Sequence, residues 1–393
     1  MPASSPQADF IVVEPVRTTC DHFSRALDRV GRLRLHCIGT RNGVAGVRPE
    51  VTRLKPAVGL VAFAGAKVLS SFHAESLRFA LHPWVDRWAA RQVQPGDHVL
   101  SSFGYANECF KQAHRHGQKT FLDAGNSHPD NFWTILSEEL RRWNSPFTPV
   151  ARHHYKRSLA MLEDTDYILA PSSFVANSFL ARGFKPEQML MGRYPVDLSL
   201  FRVRAEARKK DSPLTIISTG RLSLRKGTPY MLEAFRLVRK SHPSARFLLT
   251  SEMENNIRPV LAKYCDLPIE WSPGLPHQQL AERLRRADVF VLLSLEEGLV
   301  RTALEAMACG LQVVLTPNTG TSDLVTPGQN GEIVPIRDPT AAAEAILRCY
   351  ERVLEGWQPV TAQLKADLSE EAFNSHFLNQ LQTLNLMAKN SLP

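Results

Sequence analysis

The run TIISTGRLSLRKG, Thr215 to Gly227, and the stretch TPYMLEAFRLVRKS that follows it, Thr228 to Ser241, decide the fold. Thr215–Thr219 is short, β-branched and apolar, which reads as a strand. Tyr230–Arg239 carries apolar residues at helical spacing. The loop between them has a glycine near each end, Gly220 and Gly227, with Arg221 and Lys226 inside it. A strand turning into a helix is the unit of a parallel α/β sheet. The same alternation runs outward in both directions. Downstream, strands are expected at Arg246–Thr250, Ile269–Trp271, Val289–Leu293, Val313–Thr316 and Glu332–Val334. The helices between them fall near Ile257–Tyr264, Gln278–Arg286 and Thr302–Cys309. Upstream, Phe10–Glu14, Arg34–Gly39, His98–Phe103, Thr120–Asp123, Tyr167–Ala170 and Gln188–Met191 read as strands, with amphipathic helices such as His22–Leu33 and Phe132–Trp143. The charged segment Phe201 to Pro213 separates the two series and closes on a proline, which marks a domain boundary.

Length agrees with this division. A chain of 393 residues exceeds one ordinary core and suits two domains of about 180 residues each. A hydrophobic content of 44% and a charged content of 22% belong to a water-soluble globular class. The most apolar run, Ala57 to Leu69, falls short of the roughly 18 residues that span a bilayer, and the opening MPASSPQADF lacks the pattern of a secretory signal. Cys20, Cys37, Cys109, Cys265, Cys309 and Cys349 include no C-x-x-C pair, so free thiols in a reducing cytoplasm are expected. The net charge of +8 is uneven: residues 1–200 hold 24 Lys/Arg against 18 Asp/Glu. That excess suits an anionic membrane or acceptor, and a merely solvated surface explains it equally well. Nucleic-acid binding has nothing else behind it and is not expected.

In an open parallel sheet, ligands bind where strands end and helices begin, because backbone N–H groups and the helix dipole converge there. Gly220 and Gly227 let the backbone approach an anion, and Arg221 and Lys226 add charge and donors. A diphosphate leaving group fits this loop, since fixed cations stabilise the charge that develops as a sugar–phosphate bond breaks. A solvated basic turn is the competing reading.

The second constellation is SLEEGLVRTALEAMACG, Ser294 to Gly310. Glu297 sits on the loop after a strand and Glu305 in the first turn of the next helix. Both carboxylates can accept hydrogen bonds from sugar and ribose hydroxyls, while the amides of Gly298, Leu299 and Val300 can hold phosphate oxygens. Separately, Thr302-x-x-Glu305 could be a capping box and Glu297 a solvated loop acid. Together with the basic glycine loop, the functional reading leads.

Gly220-Arg221 with Lys226-Gly227, then Glu297-Gly298 and Leu304-Glu305-Ala306-Met307-Ala308-x-Gly310, resembles the retaining glycosyltransferase family 4. Ala170-Pro171-Ser172-Ser173-Phe174-Val175, Gly183 and Val196-Asp197 before Phe201 resemble its interdomain segment. The resemblance implies a GT-B fold, two Rossmann-like domains facing an interdomain cleft. Residues 1–200 would form the acceptor domain, 201–365 the nucleotide-sugar domain, and the helices of 366–393 would cross back to the first domain. It further implies that Arg221 and Lys226 bind the diphosphate of a UDP- or GDP-sugar, that Glu297 contacts the donor sugar and Glu305 the ribose, and that backbone at Gly274–Leu275 lies by the base. The acceptor is a glycan or lipid-linked precursor, and the chemistry needs neither metal nor cofactor. The chain departs from the family at Val16-Arg17-Thr18-Thr19-Cys20-Asp21, at Tyr194-Pro195 and at Thr319-Gly320-Thr321-Ser322. A sugar-nucleotide epimerase of the same fold and a non-catalytic partner subunit are the alternatives.

Weaker signals complete the reading. His128, in Asp123-Ala124-Gly125-Asn126-Ser127-His128, follows a strand and could assist at the acceptor, with Asn126 and Glu139 as lesser candidates. Asp164-Thr165-Asp166 precedes a strand, the wrong end for a metal-bound ligand. His153-His154 reads as surface. Leu69 to Val93 interleaves Phe72, Phe79, Trp84 and Trp88 with Arg78, Arg87 and Arg91, a pattern able to rest on the inner face of a membrane as well as to form core.

Overall fold

The structure, a computed structural model, describes residues 9–40, 42–55, 71–145, 149–203, 212–254, 257–356 and 362–387. The start of the chain, the whole Ala57–Leu69 run and most of the linker Phe201–Pro213 lie outside these residues. Two wholly parallel sheets organise the rest. The first contains β1 (Asp9–Glu14), β2 (Leu33–Ile38), β3 (Thr52–Leu54), β4 (Asp97–Ser102), β5 (Thr120–Asp123), β6 (Tyr167–Ala170) and β7 (Met189–Met191), in the order β3-β2-β1-β4-β5-β6-β7. The second contains β8 (Thr215–Ser218), β9 (Arg246–Leu249), β10 (Ile269–Trp271), β11 (Val289–Leu292), β12 (Gln312–Leu315) and β13 (Gly331–Ile333), in the order β10-β9-β8-β11-β12-β13. The expected α/β architecture of two Rossmann-like domains is thus what the chain adopts.

Central strands such as β1 and β11 are buried and largely apolar, as expected of a parallel sheet covered on both faces. Phe10 to Val13 in β1 and Val289 to Leu292 in β11 are buried throughout. Each sheet reverses its direction of growth beside its first strand, between β1 and β4 and between β8 and β11. Crevices open at such switch points, at the carboxyl ends of the strands.

The two sheets meet by those ends. Ser172, after β6, donates its hydroxyl to the Gly298 carbonyl after β11 at 2.7 Å. Ser173, on the same loop, donates its backbone N–H and its hydroxyl to Asp323, which follows β12, at 2.7 and 2.5 Å. Glycine is required at the contact, since a Cβ on Gly298 would lie 2.2 Å from the Gly125 carbonyl oxygen after β5. Away from the crevice, helix Glu370–Thr383 returns to the first domain. Phe373 and Phe377 pack on Phe23 with ring centroids 5.2 and 4.9 Å apart, and Arg29 pairs with Glu370 at 3.0 Å.

Every expected strand is present, and none is displaced by more than one residue at either end. Edge strand β3 escaped the reading because it has three residues and little burial. Helix Phe132–Trp143 begins earlier, as Pro129–Arg142, because His128 caps it and Pro129 takes its first turn. Helix Pro149–Leu162 had not been anticipated. All six cysteines are free, and five are buried. No helix among the described residues is long and apolar enough to cross a membrane.

Candidate functional site

The loop from Gly220 to Gly227 lies at the carboxyl end of β8, beside the loop that follows β11. Gly227 fixes the junction: its φ of +67° is left-handed, and a Cβ there would meet the Leu293 carbonyl oxygen at 1.9 Å. Helix Thr228–Ser241 starts at once, with Pro229 in its first turn and Tyr230, Met231, Phe235 and Val238 turned into the core.

Lys226 reaches across and ion-pairs with the Glu297 carboxylate. Arg225 joins the same carboxylate at 2.8 Å and donates to the Glu296 carbonyl, also at 2.8 Å. Burial alone would raise the carboxyl pKa of Glu297, but the two cations outweigh it and hold the group below its ordinary value, ionised. Sequence reading placed Arg221 at a donor diphosphate, together with Lys226. Arg221 is instead exposed and joins none of the ion pairs among the described residues; Arg225 is the cation the fold turns inward. Nothing in the triplet Leu224-Arg225-Lys226 marked it, because position relative to the β11 loop appears only once the chain is folded.

Glu305 lies 5% exposed on helix Arg301–Ala308, whose N-cap is Val300 without a side-chain cap, so the capping box is not formed. Glu305 is the fifth residue of this helix, in its second turn and not in its first as expected. Its Oε2 is buried without a hydrogen bond, and burial raises its pKa against the pull of Arg301 and His277. Thr219 Oγ1 and Ser294 Oγ, at the ends of β8 and β11, are likewise buried and unpartnered. Such groups also occur elsewhere in the chain, but these three follow β8 and β11, where a polar ligand could supply their partners. The Val300 amide, expected to be free, donates to Thr321 Oγ1 at 3.0 Å. Gly298 and Leu299 are buried at the same loop. Gly220, with φ +118°, opens the basic loop, and Gly274 and Leu275 follow β10 just before helix His277–Arg286.

The facing loop comes from the first domain. Ser127 donates its N–H to Glu296 Oε1 at 2.8 Å, and Asn126 its side-chain amide to Oε2 at 3.0 Å. Glu296 is fully buried and bridges the domains, a role the sequence did not reveal. His128 caps its helix through Nδ1, which accepts from the Asp130 N–H at 3.2 Å, and its ring packs on Phe179; burial, then Arg182, lowers its pKa to about 4. Its geometry is that of a cap. Glu139 is also interdomain: it accepts from Tyr230 at 2.8 Å, Trp143 at 2.7 Å and Arg337 at 2.8 Å.

Asp123 ends β5 fully buried and accepts from Thr19, and from Tyr194 at 2.6 Å. This bond accounts for the tyrosine at position 194, where the resembled family has Asn-Gly. Burial raises the Asp123 pKa to about 6, against the pull of the Thr19 and Tyr194 hydrogen bonds. Glu14, Asp21 and His36 place ligand atoms within 4.8 Å of one another. Glu14 already accepts from Thr18 N–H and Oγ1 and pairs with His36 at 3.0 Å. Asp166 accepts from the Thr120 N–H at 2.9 Å and pairs with His114 and Lys119, so the Asp-x-Asp stretch is bound up at the far ends of the strands. His153 is exposed, but His154 tucks against Tyr105, against the expectation of a surface pair.

Residues 201–359 match the family model of group 1 glycosyl transferases. WcaL of Salmonella typhimurium, by name a colanic acid biosynthesis glycosyltransferase, is 28% identical over 256 residues, 61% of this chain. The matched stretch spans 60% of that relative's length. Among solved structures, sucrose-phosphate synthase from Thermosynechococcus elongatus superposes with a TM-score of 0.65 at 17% identity, covering 96% of this chain and 99% of that one. HepE of Anabaena, in complex with UDP, gives 0.63 at 13% identity, covering 95% and 100%. These likenesses establish the GT-B fold.

Proposed function

We propose that the chain is a glycosyltransferase that moves a hexose from a nucleoside-diphosphate sugar, UDP- or GDP-linked, to a glycan or lipid-linked acceptor in surface polysaccharide synthesis, with retention, in the manner of family 4. One observation carries the reading: two cations meet at Glu297 at the switch point of the second sheet, on the loop that leads into the helix carrying the buried, unsatisfied Glu305. Lys226 would take the diphosphate, helped by Arg221 swinging in from solvent, and Glu305 would accept from the ribose hydroxyls. Glu297, relieved of Lys226, would turn to the sugar. The sugar C1–O bond breaks toward the phosphate, the acceptor oxygen attacks the same face, and its proton passes to a phosphate oxygen. Cations on the loop supply the charge a divalent ion would bring, so turnover should withstand a chelator. The UDP held by HepE and the name of WcaL support the donor and the pathway class. Trp84, 63% exposed near Arg87 and Arg91, supports peripheral contact with an anionic cytoplasmic membrane face.

Thermal shift against UDP, GDP and ADP tests this directly. A rise in Tm with UDP or GDP is expected, since a ligand bound at 100 times its Kd adds about 2.7 kcal/mol. No response to any nucleoside diphosphate would overturn the reading.

A further inference from the structure

Arg225 and Glu296 are adjacent in the fold and 71 residues apart in sequence. Glu296 is a fully buried carboxylate, and such a group persists only where donors compensate its lost hydration. Its donors come from both domains: the Ser127 N–H and the Asn126 amide on one side, Arg225 at 3.5 Å on the other. Arg225 in turn holds the Glu296 carbonyl and the Glu297 carboxylate, and its guanidinium lies 6.0 Å from the Phe132 ring of the first domain. The pair therefore touches three loops: the basic loop after β8, the Glu297 loop after β11 and residues 126–127 after β5. Both carboxylate oxygens of Glu296 already accept hydrogen bonds from the protein.

We propose that Arg225 and Glu296 are positioning residues that fasten the first domain's 124–128 loop to the proposed donor-binding loop and fix the orientation of Glu297 once Lys226 turns to phosphate. The inference rests on the reading of the cleft given above. When an anion draws Lys226 away, Arg225 remains as the partner that keeps Glu297 ionised and directed. Glu296 meanwhile keeps the opposing loop in register, so the acceptor side cannot drift while the donor is bound. Displacements of about 1 Å at a reacting centre cost on the order of 100-fold in rate.

The experiment compares Glu296→Ala, Arg225→Ala, Arg225→Lys and Asn126→Ala with the parent chain. Calorimetry with UDP and GDP, steady-state transfer kinetics and amide hydrogen exchange at Ser127 are measured on each. We expect UDP or GDP affinity within about threefold of the parent, because Lys226 and Glu305 are untouched. Turnover should fall roughly 10- to 100-fold with donor KM little changed, and Arg225→Lys should recover part of it. Ser127 exchange should accelerate at least about tenfold in Glu296→Ala. Should Glu296→Ala fail to fold, Asn126→Ala and Arg225→Lys carry the same comparison in milder form. Turnover within twofold of the parent, unchanged Ser127 exchange, or a loss of nucleotide affinity that matches the loss of turnover would each overturn the proposal. A parent chain that binds no nucleoside diphosphate would instead remove the proposed function, and the exchange data alone would still decide whether the pair fastens the loop.

Discussion

At the scale of single residues, the site is a set of charges that satisfy one another until a ligand arrives. Glu297 already has both its cations, so replacing Lys226 by alanine leaves Arg225 to hold it and should preserve the fold while removing the proposed phosphate contact. Turnover should fall on the order of 100- to 1,000-fold, the usual loss when one donor to a developing oxyanion is deleted; kcat on the purified variant checks this. Glu305 behaves differently. Its unsatisfied oxygen is a cost in the empty protein, so Glu305→Gln should leave Tm unchanged or higher while nucleotide affinity drops, by about 1.5–3 kcal/mol for a hydrogen bond to a charged group. A Tm that falls with unaltered affinity would assign Glu305 to structure. Both glutamates were legible because the loop, the helix and their spacing are local. Arg225 and Glu296 were not: Arg225 is turned inward by the β11 loop about seventy residues further on, and Glu296 by donors in the other domain 169 and 170 residues away.

At the scale of elements, the crevice is shaped by backbones that touch. Gly298→Ala would drive a methyl group into the Gly125 carbonyl, which is backbone and has no rotamer to yield. The domains must then part by about an ångström, so transfer should be crippled while nucleotide binding to the second domain persists; the split between kcat and Kd measures it. Gly320→Ala should act alike, since its Cβ would lie 1.7 Å from the Gly298 carbonyl oxygen. Strands were readable because most buried strands are short apolar runs, many with a glycine or proline near one end. Strand β3 has prolines on either side, Pro49 and Pro56, but no apolar run, being exposed and brief. The cap on helix Pro129–Arg142 was hidden for another reason: a histidine after Ser127 resembles a catalytic group until its ring is seen buried against Phe179.

At the scale of the whole molecule, buried titratable groups tie stability to pH. His22, His98, His128 and His154 have pKa values lowered to about 3, 4, 4 and 4, chiefly by burial. The unfolded chain binds protons at these sites near pH 6.5 while the folded chain does not, so stability is lost as pH falls from about 6.5 toward 4. Asp21 and Asp123, raised to about 6 by burial, work the other way in the same window and blunt the loss. Asp9, Asp86, Glu296 and Glu305, also raised by burial, act in the same sense as the two aspartates. The histidines act first on acidification, since their unfolded-state pKa is near 6.5, so Tm should decline between pH 7 and about pH 6 and flatten below it as the carboxyls take up protons. Glu139→Ala should also act globally: it strips a carboxylate from the partly buried Arg337 and from Tyr230 between the domains, at a cost of about 3–5 kcal/mol, read from urea midpoints. The return of helix Glu370–Thr383 to Phe23 carries a consequence for synthesis. Chains emerge from the ribosome amino end first, yet the first domain's aromatic seam around Phe23 stays unsealed until the very late segment arrives. The nascent first half must therefore wait, with an oily flank showing, through translation of the entire second half, and a chaperone that shields that flank should raise the yield of native protein.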